Sequence, residues 1–187
     1  KRQAKIADYA PTDGRALRWA VVESLPVSED VKRQTGDWRA HIENYKTSLT
    51  HLAAAGVEVI CYNFMPLLDW TRTDLGHALP NGATCMRFDL IDFAMFDLFI
   101  LERAGAAEDF DDAVVDAARA RFRAADDRFR AALVDNVVCG LPGAAEHFDI
   151  HQIREHLALY RTLDHARLAR HQSDFLEMVA PHAQTLG

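Results

Sequence analysis

The sequence predicts an α/β fold. Two short apolar runs, Leu17-Arg18-Trp19-Ala20-Val21-Val22 and Val57-Glu58-Val59-Ile60-Cys61-Tyr62, carry β-forming residues and are bounded by turn signals. One amphipathic helical stretch lies between them. Strand, helix and strand with short connections form a unit whose strands run parallel through a right-handed crossover. The strands are nearly continuous in apolar residues, as expected of a sheet covered on both faces. Four or five helical patterns surround only two such strands, so the chain reads as a segment of a larger α/β protein. An eight-stranded barrel needs at least about 200 residues and typically about 250.

The elements follow in order. Residues Lys1 to Gly14 are polar and read as the tail of a helix, then a turn at Pro11 and Gly14. After the first strand comes a loop from Glu23 to Gly36. Asp37 is placed to cap a helix in which Trp38, Ile42, Tyr45, Leu49 and Leu52 recur at spacings of four and three. Gly56 stands where a helix commonly ends in a left-handed residue. The second strand leads into a long loop from Asn63 to Arg87, broken by Pro66, Pro80 and Gly82; loops of that length usually have a function or structure of their own. Asp89 then caps Leu90–Leu101, apolar nearly all round apart from Asp92 and Asp97, as in a buried helix or a subunit contact. Further helices are expected from Asp111 or Asp112, from Asp126, from Asp149 and from Asp164. Cys139-Gly140-Leu141-Pro142-Gly143 separates two of them, and Pro181 is expected to kink or end the last.

Composition excludes several classes. The chain has 187 residues, of which 49% are hydrophobic and 26% charged, so disorder and low complexity are excluded. Its formal charge of -7 repels a phosphate backbone, and no nucleic-acid partner is expected. No apolar run approaches the roughly 20 residues of a membrane span, and no membrane partner is expected. Three cysteines, Cys61, Cys85 and Cys139, make no disulfide framework, and no signal peptide is visible, which together predict a cytoplasmic location. The chain opens on Lys1 rather than Met, so the start of the gene product is expected to lie upstream.

In parallel α/β proteins, sites lie at the carboxyl ends of the strands. The expected ends here are Glu23-Ser24 and Tyr62-Asn63. The loop after the second strand holds Asn63, Asp69, Trp70, Thr71, Arg72, Thr73 and Asp74 within twelve positions. That mixture suits a polyhydroxylated anion. Arginine grips a carboxylate through paired N–H bonds, amides and carboxylates bond hydroxyls, and indole offers a flat apolar face. The structural alternative pairs Asp69 with Arg72 and plugs the core with Trp70. Glu23 is either a ligand, base or acceptor, or a cap on the following turn. His147, His151 and Glu155 fall at i, i+4 and i+8, a metal-like spacing. Asp149 as a helix cap would leave His147 outside that helix, and the remaining positions read as a solvated face. His41, His51, His77, His165, His171 and His182 are scattered and expected to be exposed. Cys61 is expected to be a small buried residue and Cys139 to pack.

The residues now carry a resemblance. Val21-Val22-Glu23-Ser24-Leu25-Pro26-Val27-Ser28-Glu29-Asp30, followed by Thr35-Gly36, is similar to mannonate dehydratase of the bacterial hexuronate pathway. Cys61-Tyr62-Asn63-Phe64-Met65-Pro66-Leu67-Leu68-Asp69-Trp70-Thr71-Arg72-Thr73-Asp74-Leu75 resembles that family's most distinctive segment. Leu79-Pro80-Asn81-Gly82, Arg87-Phe88-Asp89 and Gly140-Leu141-Pro142-Gly143-Ala144 match its pattern in order.

The resemblance implies a fragment of a TIM (β/α)8 barrel, xylose-isomerase-like, with residues 1–187 as one partial domain and about 89–161 as a helical insertion with its flanking helices. It implies a lyase that dehydrates D-mannonate to 2-keto-3-deoxy-D-gluconate in glucuronate and hexuronate catabolism, using Mn²⁺ or Fe²⁺. In that chemistry a proton leaves the carbon beside the carboxylate, the neighbouring hydroxyl departs, and the enol becomes a ketone. The family's metal ligands (His, Cys, His and Asp) and its acid–base groups lie mainly on later strands. The first ligand histidine belongs on a strand expected just after Gly187, and an early histidine-bearing strand is expected before Lys1. His182, in the last helix, is not that ligand. No metal ligands and no catalytic acid or base are therefore expected within this chain. Asn63, Asp69, Trp70 and Arg72 are expected on the substrate side, together with Glu23; giving Arg72 to the substrate carboxylate follows from its chemistry rather than from the match. Two other readings stay open. One is a different sugar-acid isomerase or epimerase on the same barrel. The other is a non-catalytic association module, for which Leu90–Leu101 is the supporting feature and a homo-oligomer the expectation.

Overall fold

A computed structural model of the chain describes residues 2–9, 17–68, 70–139 and 148–187. Two compact units emerge. The first comprises residues 1–66 and 161–187, the second residues 67–160.

The first unit begins with a short helix, α1 (Arg2–Ala7), and is built on the parallel pair β1 (Val21–Pro26) and β2 (Val59–Asn63). Between them run α2 (Glu29–Arg33) and α3 (Trp38–Ala54); α8 (His165–Leu186) returns from the far end of the sequence. The helical spacing read in the sequence is realised in α3, where Ile42, Tyr45 and Leu49 are buried. On α8 the buried residues His171, Phe175 and Val179 recur every four positions, so one stripe faces inward. Phe175 is the hub of this core. Its ring lies 5.1 Å from Tyr45, edge-on, 5.6 Å from Tyr62 and 5.9 Å from Phe64. Val27 and Val31 complete the cluster.

Four expectations are corrected in this unit. The first strand is four residues late, because the run through Pro26 pairs with β2 to its end; proline is tolerated there since only the terminal ladder position lacks its donor. The two faces of the pair are not both covered. Val21, Val59, Cys61 and Tyr62 are exposed, and Cys61 is therefore not the buried residue expected. His171 is buried rather than exposed, and its Nδ1 donates to the Lys32 carbonyl at 2.9 Å. Pro181 does not end α8, which runs on to Leu186. Buried Val179 and the packed Leu186 hold the last turns despite the lost backbone donor.

The second unit opens where a long loop is expected, and part of that loop is an antiparallel hairpin, β3 (Asp74–Ala78) and β4 (Thr84–Arg87). Leu79 and Ala83 close a three-residue turn in which the Gly82 N–H reaches the Leu79 carbonyl at 2.9 Å. Gly82 takes φ +84°, the left-handed residue that such turns place last. Asp89 caps α4 (Leu90–Met95) by accepting from the N–H groups of Ile91 and Asp92, as its position predicts. The apolar segment does not stay α-helical: Phe96–Leu101 widens to a π-helix, closed by Glu102 at φ 56°. Arg154 donates to the freed carbonyls of Ile100 and Leu101. A short 3₁₀ turn (Ala106–Asp109) leads to α5 (Asp112–Ala124), α6 (Asp127–Val138) and α7 (Ile150–Tyr160). Asp126 accepts from the Phe129 N–H and Asp149 from those of His151 and Gln152, so these caps operate as read; Asp37, by contrast, precedes α3 without a side-chain cap bond. Ala94, Met95, Phe96, Ala118, Leu133, Val137 and Ile153 form the core. The expected turn at Pro11 and Gly14, and the break over Gly140–Gly143, lie outside the described residues.

Candidate functional site

The carboxyl ends of β1 and β2 carry the first candidates. Pro26 pairs with Asn63 and Leu25 with Tyr62, whereas Val22 pairs with Ile60. One extra residue is therefore accommodated on β1 between Val22 and Leu25, at Glu23-Ser24. Bulges re-aim side chains and are over-represented beside active sites. Glu23 is exposed, and it does not end its strand although the sequence placed the end there; it lies three residues before the end. Asn63 is the last residue of β2 and half-buried.

The chain leaving β2 is held within the first unit by two contacts. Phe64 packs on Phe175, and the Met65 carbonyl accepts from Lys32 Nζ at 2.9 Å. Lys32 is itself buried, at 8% exposure, and pairs with Glu29 at 2.6 Å. Sequence reasoning missed Lys32. Its one signal was the i, i+3 spacing from Glu29, which is common on solvated faces. Gln172 donates to the Tyr62 hydroxyl at 3.2 Å and Gln34 to Asp174 at 2.6 Å, tying α8 to the same end.

Trp70 and Arg72 belong to the second unit. Trp70 is 53% exposed and takes φ 47°, an uncommon conformation for a bulky residue, so it does not plug the core. Arg72 is only 6% exposed. Its Nη2 donates to the Cys139 carbonyl at 2.6 Å and its Nη1 lies 3.5 Å from Met86 Sδ. Cys139 is half-buried beside it. Asp69, and with it the pairing of Asp69 with Arg72, lies outside the described residues, as does His147. His151 and Glu155 are exposed on α7.

A polar recess of about 250 Å³ in the second unit is lined by Thr73, Asp74, Arg87, Asp89, Asp92 and Asn136 among others. Its polar groups largely hold one another. Thr73 Oγ1 accepts from the Asp89 N–H at 2.9 Å, Asn136 donates to the Thr73 carbonyl at 2.9 Å, and Arg87 pairs with Asp89. Burial raises the Asp92 carboxyl above its ordinary range, partly offset by Arg121 at 2.7 Å. This recess fastens the hairpin to α4 and α6. Among the described residues no group of three or more His, Cys, Asp and Glu side chains could hold a metal ion.

The D-mannonate dehydratase (UxuA) family matches residues 4–187. A mannonate dehydratase of Rhizobium meliloti (strain 1021) is 51% identical over 171 residues, covering 91% of this chain and 42% of that protein. One from Marinomonas sp. (strain MWYL1) is 44% identical over 187 residues, covering 99% of this chain and 47% of the relative. The chain thus spans less than half the length of these curated relatives. The crystal structure of mannonate dehydratase from Streptococcus suis serotype 2 superposes with a TM-score of 0.51 at 27% identity, over 92% of this chain and 35% of that one.

Proposed function

The chain belongs to the D-mannonate dehydratase family, and on that premise we propose that it supplies substrate-side residues to a hydro-lyase that converts D-mannonate to 2-keto-3-deoxy-D-gluconate. The observation that carries the reading is sequence agreement of 44–51% over 91–99% of the chain with mannonate dehydratases. The parallel pair with a segment of mixed polarity leaving its carboxyl end fits a TIM-barrel piece of the xylose-isomerase kind, with about residues 89–161 as the helical insertion and its flanking helices.

The roles follow from side-chain chemistry. Asn63, at the end of β2, offers a donor and an acceptor to substrate hydroxyls. Glu23, exposed at the bulge, offers acceptors only while ionised. Exposed Trp70 presents an indole face to the carbon backbone of a sugar acid. Asp69 is assigned to hydroxyl binding by its place in the family segment. Arg72 is assigned to the carboxylate by its chemistry; to serve there it has to share a guanidinium already bonded to Cys139.

The divalent metal of this chemistry, Mn²⁺ or Fe²⁺ on the resemblance, stabilises charge developing beside the substrate carboxylate. The described residues of this chain do not fit it, and its ligands are assigned to parts of the relatives' length that the chain does not span. A cytoplasmic setting in hexuronate catabolism fits three free thiols and the finding that no described helix is long and apolar enough to cross a membrane. Substituting Trp70→Ala in the longest product of the gene tests the substrate assignment. Because Trp70 is exposed, the melting temperature is expected to hold while KM for D-mannonate rises about ten-fold, the equivalent of ~1.4 kcal/mol. Unchanged kinetics would remove Trp70 from the site.

A further inference from the structure

We propose that Lys32 is a positioning residue for the segment that leaves β2, fixing Asn63 and the residues after it by holding the Met65 carbonyl. Lysine is almost never fully buried unless paired, and Lys32 is 8% exposed. Its ammonium is oriented from one side by Glu29 Oε1 at 2.6 Å and donates to the Met65 carbonyl at 2.9 Å. The residue is also fixed through its backbone, because His171 Nδ1 donates to the Lys32 carbonyl at 2.9 Å. The chain is therefore gripped at both ends of one residue: α8 holds its backbone and its side chain holds the segment beyond β2.

The position of the grip gives it meaning. Met65 lies two residues past Asn63, the last residue of β2, where parallel α/β proteins place their ligands. Between them Phe64 is turned onto Phe175 at 5.9 Å. An apolar contact alone leaves the backbone free to rotate about that anchor. A charge-assisted bond to the next carbonyl removes that freedom. Glu29 aims the ammonium, so the pair behaves as a strut between α2 and the segment.

The inference rests on the dehydratase reading only for its kinetic consequence, and the test has two arms for that reason. In the first arm the 187-residue chain is cleaved with a limiting amount of chymotrypsin, which needs no activity. Lys32→Met is expected to speed cutting at Phe64 at least five-fold, and Lys32→Arg, which keeps donors in place, to return the rate to within about two-fold of the parent. Equal rates in the parent and Lys32→Met would overturn the proposal. In the second arm the same variants are made in the longest product of the gene and assayed on D-mannonate. Lys32→Met is expected to lower kcat/KM by ten-fold or more with the circular dichroism spectrum unchanged, since a displacement of about 1 Å costs up to a hundred-fold. Lys32→Arg is expected to restore most of it. A folded Lys32→Met protein that melts earlier yet keeps its kcat/KM would show a purely structural lysine and overturn the proposal. If Lys32→Met does not fold, Lys32→Gln, polar but too short to reach Met65, replaces it with the same expectations. A parent with no activity on D-mannonate would sink the dehydratase reading and leave the cleavage arm to decide.

Discussion

The two units leave apolar residues exposed in different places, although each has a core of comparable membership. The second has a closed helical core, while its hairpin and helix ends leave Leu75, Met86, Phe88, Leu90 and Leu159 exposed. Ala94, Met95 and Phe96 are wholly inaccessible, and the buried carboxylate of Asp97, at 3% exposure, is met by Arg103 through Nε at 3.0 Å and Nη2 at 2.7 Å. The first unit is covered on its helical side and open along the strands. Val21, Val59 and Tyr62 are exposed, and an apolar recess of about 250 Å³ lies among Tyr45, Ile60, Tyr62, Phe175, Val179 and Leu186. An isolated parallel pair is unusual, because such strands are normally flanked and covered. The contrast is one of place: apolar surface is left open along the strands in the first unit, and at the hairpin and helix ends in the second.

The sharpest way to break that contrast is in the closed core. Phe96→Ala is expected to cost about 3–5 kcal/mol, the range for deleting a buried aromatic side chain, read as a shift in the urea midpoint. A cost below about 1 kcal/mol would mean that the helical core is not closed around Phe96. Next is the internal ion pair. The hydrogen bonds to Asp97 raise the affinity of Arg103 for its proton, and Asp97→Asn removes the charge they serve. Its expected cost is about 2 kcal/mol, less than for a fully buried pair because Arg103 is partly exposed. Reversal in the presence of molar salt would contradict a buried pair.

The smallest effect belongs to the open unit. Burial, with Tyr62 adding to it, pushes the Tyr45 hydroxyl up to about 12 from an ordinary 10. The fold thus favours the neutral phenol. That contribution is complete below pH 10 and is lost as the pH rises toward 12. Tyr45→Phe is expected to flatten the stability profile in this window. An unchanged profile would mean that solvent reaches the phenol through the recess.

Several of these features were legible in the sequence. Asp89, Asp126, Asp149 and Asp164 announce their helices because a short carboxylate before an apolar repeat has few other uses, and each accepts from the first turn as expected. The repeat of α3 gave its inward stripe for the same local reason. The β3–β4 hairpin was hidden in a segment whose strands are short and largely exposed and so show no alternation, although Asn81-Gly82 was the available signal. The bulge at Glu23 depends on register with a strand nearly forty residues away, which no local pattern reports. Lys32 was illegible because its burial comes from α8, more than 130 residues on. Arg72 was read by its chemistry alone; its contact with Cys139 is a tertiary fact and makes it a support for the segment as well as a candidate for the substrate.

The most direct test of the account is dehydration of D-mannonate with added Mn²⁺, run on this chain and on the longest product of its gene. The account expects 2-keto-3-deoxy-D-gluconate from the longer protein alone, because the family resemblance puts the metal ligands outside residues 1–187. Turnover by the 187-residue chain would contradict that division of labour and return attention to His151 and Glu155. Two folded proteins without activity would contradict the dehydratase reading itself.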